Sequence, residues 1–323
     1  MIESGPLFVS SGDLVADRRY KWALDLAMRG DLAGAADVLV QTAALAPSFA
    51  TAWFALGAIR DRLGDRDGAI AAFEKARAAD PEDYHGARLQ LARLGCGDPA
   101  PPMTKTYVRR LFDQYAAHYD TALTEHLAYR GPALLREAVE ATKRTAGEPL
   151  HFGSALDLGC GTGLAGAAFR PLVERMVGVD LSPAMIAQAA TKHLYHQVFA
   201  ADLDTFLVEE ARKAARYHLV VAADVFVYVN DLRPIAAAVA RVLADGGLFA
   251  FTVETHADAD AVKLLPTLRY AHGEAYLRGA LAAAHLTVTV LSKQAVRREK
   301  GVPVDSLIVV ARASTPGRPP GRA

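Results

Sequence analysis

The stretch Ala155-Leu156-Asp157-Leu158-Gly159-Cys160-Gly161-Thr162-Gly163-Leu164-Ala165-Gly166 decides how the rest of the chain is read. A short apolar run ends in an acid, three glycines alternate with other residues, and an alanine-rich, helix-compatible segment follows. The pattern predicts a strand running into a glycine turn and a helix, a geometry that presents backbone N–H groups to a ligand. Glycine suits such a turn because a Cβ would block close approach and because the backbone there often takes φ > 0. Two registers fit. Gly161-Thr162-Gly163-Leu164-Ala165-Gly166 also reads as G-x-G-x-x-G, with Asp180 near the position of the ribose-binding acid of NAD enzymes. That register leaves Asp157, Gly159 and Cys160 without a role.

Beyond the turn, apolar runs at 154–158, 176–180, 196–200, 218–223 and 247–253 are separated by helix-length segments. This alternation predicts an α/β parallel sheet. Two further runs, 286–292 and 304–311, have too little chain between them for a crossover helix and should pair antiparallel. Five parallel strands closed by an antiparallel hairpin, with "D-L-G-C-G-T-G" at 157–163 and "V-G-V-D-L-S" at 177–182, resemble the class I S-adenosylmethionine-dependent methyltransferases. The resemblance covers residues 104–312. It implies a Rossmann-like sheet of order 3-2-1-4-5-7-6, S-adenosyl-L-methionine as cofactor and methyl transfer as the activity. It also accounts for Asp202 and the closing hairpin, which the NAD register leaves unexplained.

In such a sheet ligands bind off the carboxyl ends of the strands, beside the first one. Gly159, Cys160, Gly161 and Gly163 then form backbone next to the cofactor. The resemblance implies that Asp157 contacts its methionine part. A carboxylate at Asp180 can accept two hydrogen bonds from a ribose diol, with Leu181 and Met185 as apolar walls for the adenine. Asp202 can accept from the adenine amine and Leu203 can offer its backbone N–H. Asp224 and the residues after it, to Tyr228, fall where the sulfonium should lie. Each of these acids also has a plain reading as a helix N-cap.

Upstream, residues 104–147 predict helices. Leu111, Tyr115 and Tyr119 share one face, with Phe112 beside them. The segment is similar to the "F-D-x-Y-A-x-x-Y-D" lead-in of many methyltransferases, which implies a lid over the cofactor formed by Phe112, Tyr115 and Tyr119. A plain core role fits the same spacing. Arg130 is a further candidate for the cofactor carboxylate.

The first hundred residues repeat. Gly30-Asp31 recurs as Gly64-Asp65, Ala35 as Ala69, Leu39 as Phe73 and Pro47 as Pro81, a period of 34 residues. Paired amphipathic helices at that period resemble tetratricopeptide repeats. Small residues at Gly57 and Ala69 permit close helix approach, with Trp53 and Phe73 filling the space around them. A third copy starts at Tyr84 and stops near Leu94. The resemblance implies a concave surface for a protein partner; a packing appendage or dimer contact is the other reading. The divisions expected are a repeat domain at 1–97, a Gly/Pro-rich linker at 98–103, the methyltransferase-like domain at 104–313 and a disordered tail at 314–323. The whole chain is similar to bacterial predicted methyltransferases with such repeats, which share "R-Y-A-H" and "R-x-E-x-G-x-P-V" segments, here at 269–272 and 297–304, the latter beginning with Arg297 and Glu299.

Composition narrows the partners. An apolar share of 52% with 22% charged residues fits a globular chain with a real core. Lys and Arg balance Asp and Glu at 36 each, so no global field favours nucleic acid or an anionic membrane. Two cysteines are too few for a disulfide framework or a cysteine zinc site, and no metal is expected. The chain opens without a basic leader and apolar run, so a cytoplasmic location is expected. Methyl transfer is an in-line displacement with a neutral leaving group, so it needs alignment and, for some acceptors, a base. Tyr228, Glu254, His256 and His272 are the candidates, with His256 and His272 ranked first. Arg269 could hold an acidic acceptor. The segment after the fourth strand lacks an "N-P-P-Y"-like motif, which favours a small molecule or a flexible side chain as acceptor. A protein delivered by the repeats and a catalytically silent cofactor-binding adaptor are the alternatives.

Overall fold

Gly30-Asp31 and Gly64-Asp65 build the same turn twice. The computed structural model describes residues 8–123 and 127–314, so nearly all of the expected disordered tail lies outside the described residues. Its first helices are α1 (Leu14–Met28), α2 (Leu32–Leu45), α3 (Ala50–Arg62), α4 (Arg66–Ala79) and α5 (Ala87–Arg93). Asp31 and Asp65 cap α2 and α4 by accepting the N–H of Gly34 and of Gly68, each at 2.9 Å. A Cβ on Gly57 would lie 2.7 Å from the Phe73 ring, which is why α3 and α4 can close on each other. Phe73 is fully buried and meets Phe54 edge-on at 5.4 Å. Trp53, expected in that space, is half-buried, and its indole N–H donates to the Pro47 carbonyl. The third copy is the single short α5.

The chain divides into two compact units at Leu111 and Phe112, with Leu264–Leu268 grouping with the first. That division falls inside α6 (Lys105–Tyr115). The early turns of α6 belong with the repeats: the Tyr107 ring fills the space over Gly86, and the Arg110 guanidinium lies 3.6 Å above the Tyr84 ring.

The second unit continues through a 3₁₀ turn (Ala116–His118), α7 (Tyr119–Thr121) and α8 (Gly131–Thr145). Strands and helices then alternate: β1 (Phe152–Leu158), α9 (Leu164–Phe169), β2 (Val173–Asp180), α10 (Pro183–Thr191), β3 (Gln197–Ala200), α11 (Leu203–Arg212), β4 (Tyr217–Ala222), α12 (Arg233–Val242) and β5 (Leu243–Glu254). β6 (Val262–Leu264), β7 (Tyr270–His272), α13 (Glu274–Ala283), β8 (Leu286–Glu299) and β9 (Val302–Ala313) complete the unit. β3, β2, β1, β4 and β5 are parallel neighbours in that order, β9 runs antiparallel beside β5, and β8 pairs with β9. The seven long strands therefore follow the order 3-2-1-4-5-7-6. Two short strands were not foreseen. β7 runs parallel to β5 at its tip, through Glu254 and Ala271, with β6 beyond it.

Strand alternation sends Leu156, Leu158, Val177 and Val179 to one buried face and Ala155 and Met176 to the other. Covered on both faces, the sheet leaves its strand tips as the place for chemistry. The hairpin is longer than the apolar runs implied. Lys300 and Gly301 take φ of 49° and 79°, a two-residue turn matched to strand twist, so pairing continues to Glu299 and Val302. A bulge between Ala295 and Arg298 interrupts the ladder, and there Arg297 is buried.

Candidate functional site

At the end of β1 the chain turns through Gly159, Gly161 and Gly163 with φ of 62°, 53° and 98°, a backbone that other residues adopt only under strain. A Cβ on Gly159 would come 2.6 Å from Val225, so the turn also needs the missing side chain for space. Cys160 is buried behind it, and its N–H donates to the Val179 carbonyl, extending the β1–β2 pairing.

Two carboxylates flank this turn. Asp180, at the tip of β2, accepts the Gly161 N–H at 2.9 Å on one oxygen and the Ser182 N–H at 2.8 Å on the other. Each oxygen keeps a lone pair, so the group is held rigid and still able to accept a diol. Asp157 is 1% exposed. One of its oxygens accepts from the Tyr195 hydroxyl at 2.7 Å; the other, Oδ1, is buried without a partner. Burial pushes the Asp157 carboxyl up to about 7, opposed by the Tyr195 hydrogen bond and reinforced by the Asp180 carboxylate. Such an orphaned acceptor is costly unless a ligand donates to it. Tyr195 was not singled out from sequence, although its ring packs where a Cβ of Gly163, Gly166 or Gly178 would stand.

Met185 is fully buried, whereas Leu181 and Leu203 are partly exposed. Asp202 caps α11, accepting from the Thr205 N–H at 3.2 Å, so the plain reading holds for one of its oxygens. Asp224 is the least ordinary of the four acids. Its φ is 61°, its N–H donates to the Thr252 hydroxyl at 2.8 Å, and its carboxylate accepts from Arg297 at 2.6 Å.

The lead-in reaches this same region. Tyr119 comes within 3.7 Å of the position a Gly161 Cβ would take. Burial pushes its phenol up, and the charges it senses are Asp224, Asp180 and Arg297. Tyr115 is half-buried, and Phe112 packs edge-on against Tyr228 at 5.1 Å. The acids of the same segment, passed over in the sequence, tie it down. Asp113 accepts from the Ser182 hydroxyl at 2.6 Å, and Asp120 accepts from the Thr162 hydroxyl and from Lys192. The signal was present in the two Asp positions of the lead-in motif. Arg130 has an exposed side chain and starts α8, its N–H donating to the Val296 carbonyl.

The catalytic candidates separate by their partners. His256 Nδ1 accepts the Asp258 N–H, which makes Nε2 the donor to the Ala261 carbonyl at 3.1 Å, so both nitrogens serve its own loop. His272 is fully buried, donates from Nε2 to the Val229 carbonyl at 3.0 Å and leaves Nδ1 without a partner. Burial holds it down at about 4, so the ring is neutral at pH 7. Tyr228 hydrogen-bonds Arg269, and burial raises its phenol. Glu254 is buried in an ion pair with Arg297, and Arg269, expected on a surface or against an acceptor, pairs with Glu299.

The family model for methyltransferase domains matches residues 156–249, the interval from β1 into β5, and that for the tetratricopeptide repeat matches residues 50–83. The chain carries a methyltransferase domain and a tetratricopeptide repeat. The human methyltransferase-like protein 27 is 39% identical over 79 residues, which are 24% of this chain and 31% of that protein. The match therefore spans about a third of that relative. Among solved structures, the N-methyltransferase NodS from Bradyrhizobium japonicum, in complex with S-adenosyl-L-homocysteine, aligns over 64% of this chain and 97% of its own at 20% identity and TM-score 0.48. The Burkholderia thailandensis 1,6-didemethyltoxoflavin-N1-methyltransferase aligns over 64% and 87% at 19% identity and TM-score 0.48.

Proposed function

We propose that the second unit binds S-adenosyl-L-methionine and transfers its methyl group to a small-molecule acceptor. The observation that carries the reading is the pairing of a rigid acceptor, Asp180, with an orphaned one, Asp157, on either side of the glycine turn. These residues fit the cofactor: Asp180 for the ribose diol, Asp157 for the ammonium end, Gly159, Cys160, Gly161 and Gly163 for backbone contact. Leu181, Met185, Asp202 and Leu203 would frame the adenine, and Tyr115 and Tyr119 would cover it. When bound, the cofactor supplies an electrophilic methyl on a sulfonium with a neutral leaving group.

The chain's own part is alignment. Asp113 and Asp120 anchor the lead-in, so Tyr119 is held over the turn and water is kept from the site. Tyr228, hydrogen-bonded to Arg269 and packed on Phe112, is the candidate we place at the acceptor side. His272 supports the segment after β4 through the Val229 carbonyl, and His256 supports its own loop. Calorimetry with S-adenosylmethionine and S-adenosylhomocysteine tests the cofactor; absence of binding of either to the intact protein would refute the reading. A labelled-methyl screen of cell extract, split into protein and small-molecule fractions, tests the acceptor. Label in protein would favour a partner recruited by the repeats, and binding with no label transferred would favour a silent adaptor.

A further inference from the structure

Two sequence segments that the cofactor reading does not use meet in space. Arg269 comes from the 269–272 segment, Arg297 and Glu299 from the 297–304 segment, and both converge on Asp224 and Glu254 at the tips of β4 and β5. Arg297 donates from Nη1 to Asp224 at 2.6 Å, from Nε to Glu299 at 3.1 Å, and from Nη2 to Glu254. Arg269 pairs with Glu299 and lies 3.6 Å from Glu254. The side chain of Arg297 is 0% exposed and that of Glu254 3%, with Asp224 at 9%. Three carboxylates thus share two guanidiniums, with Arg269 and Glu299, 16% and 15% exposed, at the outer edge of the cluster. A buried set of odd charge is costly, and an interior resolves it by taking up a proton or a cation. Burial pushes the Glu254 carboxyl up, opposed by the Arg297 and Arg269 guanidiniums beside it.

The cluster adjoins the glycine turn: Val225, next after Asp224, fills the space over Gly159, and Phe112 links Tyr119, beside Gly161, to Tyr228, which hydrogen-bonds Arg269. Tyr119 senses the charges of Asp224, Asp180 and Arg297. Tyr129 senses those of Asp224, Arg297 and Asp157, whose Oδ1 is buried without a partner. We infer that the Asp224–Glu254–Glu299 cluster, held by Arg269 and Arg297, reads the positive charge of the sulfonium and so makes this site prefer S-adenosylmethionine over S-adenosylhomocysteine. Within that cluster Arg297 is a positioning residue. The two ligands share the adenosine, the ammonium and the carboxylate and differ by the methyl and one unit charge, so contacts of Asp157 and Asp180 cancel in the comparison. The preference would also favour release of the product.

This inference rests on the proposed cofactor, and one experiment separates the two. Calorimetric affinities for S-adenosylmethionine and S-adenosylhomocysteine are measured on the full chain, on Glu299→Gln and on Glu254→Gln. Each substitution removes the surplus charge while keeping the shape. The expected result is a fall of about tenfold in the affinity ratio of the two ligands in each variant, equivalent to about 1.4 kcal/mol. Affinity for the homocysteine product stays within a few fold, which also reports that the variants are folded. A ratio unchanged in both variants overturns the inference and leaves the cofactor reading standing. Failure of both ligands to bind the unaltered protein overturns both.

Discussion

The two units solve the problem of burying polar groups in opposite ways. In the repeats, the carboxylates of Asp31 and Asp65 stay near the surface and each caps a helix. The interior there is mostly apolar, and the buried Asp83 and His85 both have partners, the Arg88 N–H and the Thr51 hydroxyl. At the strand tips of the second unit, Asp157, Asp180, Glu254 and Arg297 are all buried, and one Asp157 oxygen has no partner. Packing does not require these groups. A fold that keeps uncompensated charge in its interior gives up stability for something else, and here the location, at the carboxyl ends of parallel strands, says what.

If that contrast is right, the largest effects on stability should come from the repeats' apolar interior and should leave ligand binding alone. Phe73→Ala removes a fully buried ring from between α3 and α4. We expect a loss of about 3–5 kcal/mol from the first unit in chemical denaturation, with calorimetric affinity for S-adenosylhomocysteine unchanged. A parallel loss of ligand affinity would break the comparison.

Next in size, Asp180→Ala should do the reverse. It removes two charge-assisted acceptor positions, each worth about 1.5–3 kcal/mol, so cofactor affinity should fall by roughly a hundredfold or more in calorimetry. Because the Gly161 and Ser182 N–H groups lose their partner, some stability should go too, but less than in the repeat variant.

The third expectation uses pH. The Asp157 carboxyl in the folded protein stands at about 7, against 3.8 as its ordinary value. A folded value above the unfolded one means that its contribution to stability is present at low pH and is lost as pH rises through about 7. A ligand ammonium binds the ionised form, so affinity should move the other way. From pH 5.5 to pH 7 it should rise about fifteenfold, the increase in ionised fraction, and Asp157→Asn should flatten the profile. A wild-type affinity that does not change over this window would show that Asp157 is not the ammonium's partner.

How much of this was legible depended on whether the signal was local. The alternation of strands and helices, the glycine turn and the acid at each strand tip follow from short-range patterns, and so does the repeat with its glycines and aspartates; the strand order came from the family resemblance those patterns carry. What escaped was long-range polar pairing. Arg297 looked like part of a connection because an apolar run ended before it; a two-residue turn and a bulge instead carry it, within a strand, to Asp224 and Glu254. His256 and His272 looked like bases because they follow strand ends, yet the partners of their ring nitrogens are backbone groups that no side-chain pattern encodes. Tyr195 was invisible because its bond to Asp157 is long-range, joining the connection before β3 to the end of β1.

The smallest effect is also the sharpest check on the repeats' side of the contrast. Asp65 accepts the Gly68 N–H at 2.9 Å, and a Cβ on Gly68 would fall 2.0 Å from that carboxylate, so the cap and the glycine are fitted to each other. Asp65→Ala leaves one exposed N–H to water and should cost about 1 kcal/mol, as caps generally do. Asp31→Ala, the same change one repeat earlier, removes the same 2.9 Å bond to Gly34 and should cost as much. Equal small losses in denaturation would mean that these two carboxylates serve only the ends of their own helices. A loss several times larger at one of the two would give that repeat a role beyond packing, and the division of labour between surface caps and buried strand-tip charges would have to be redrawn.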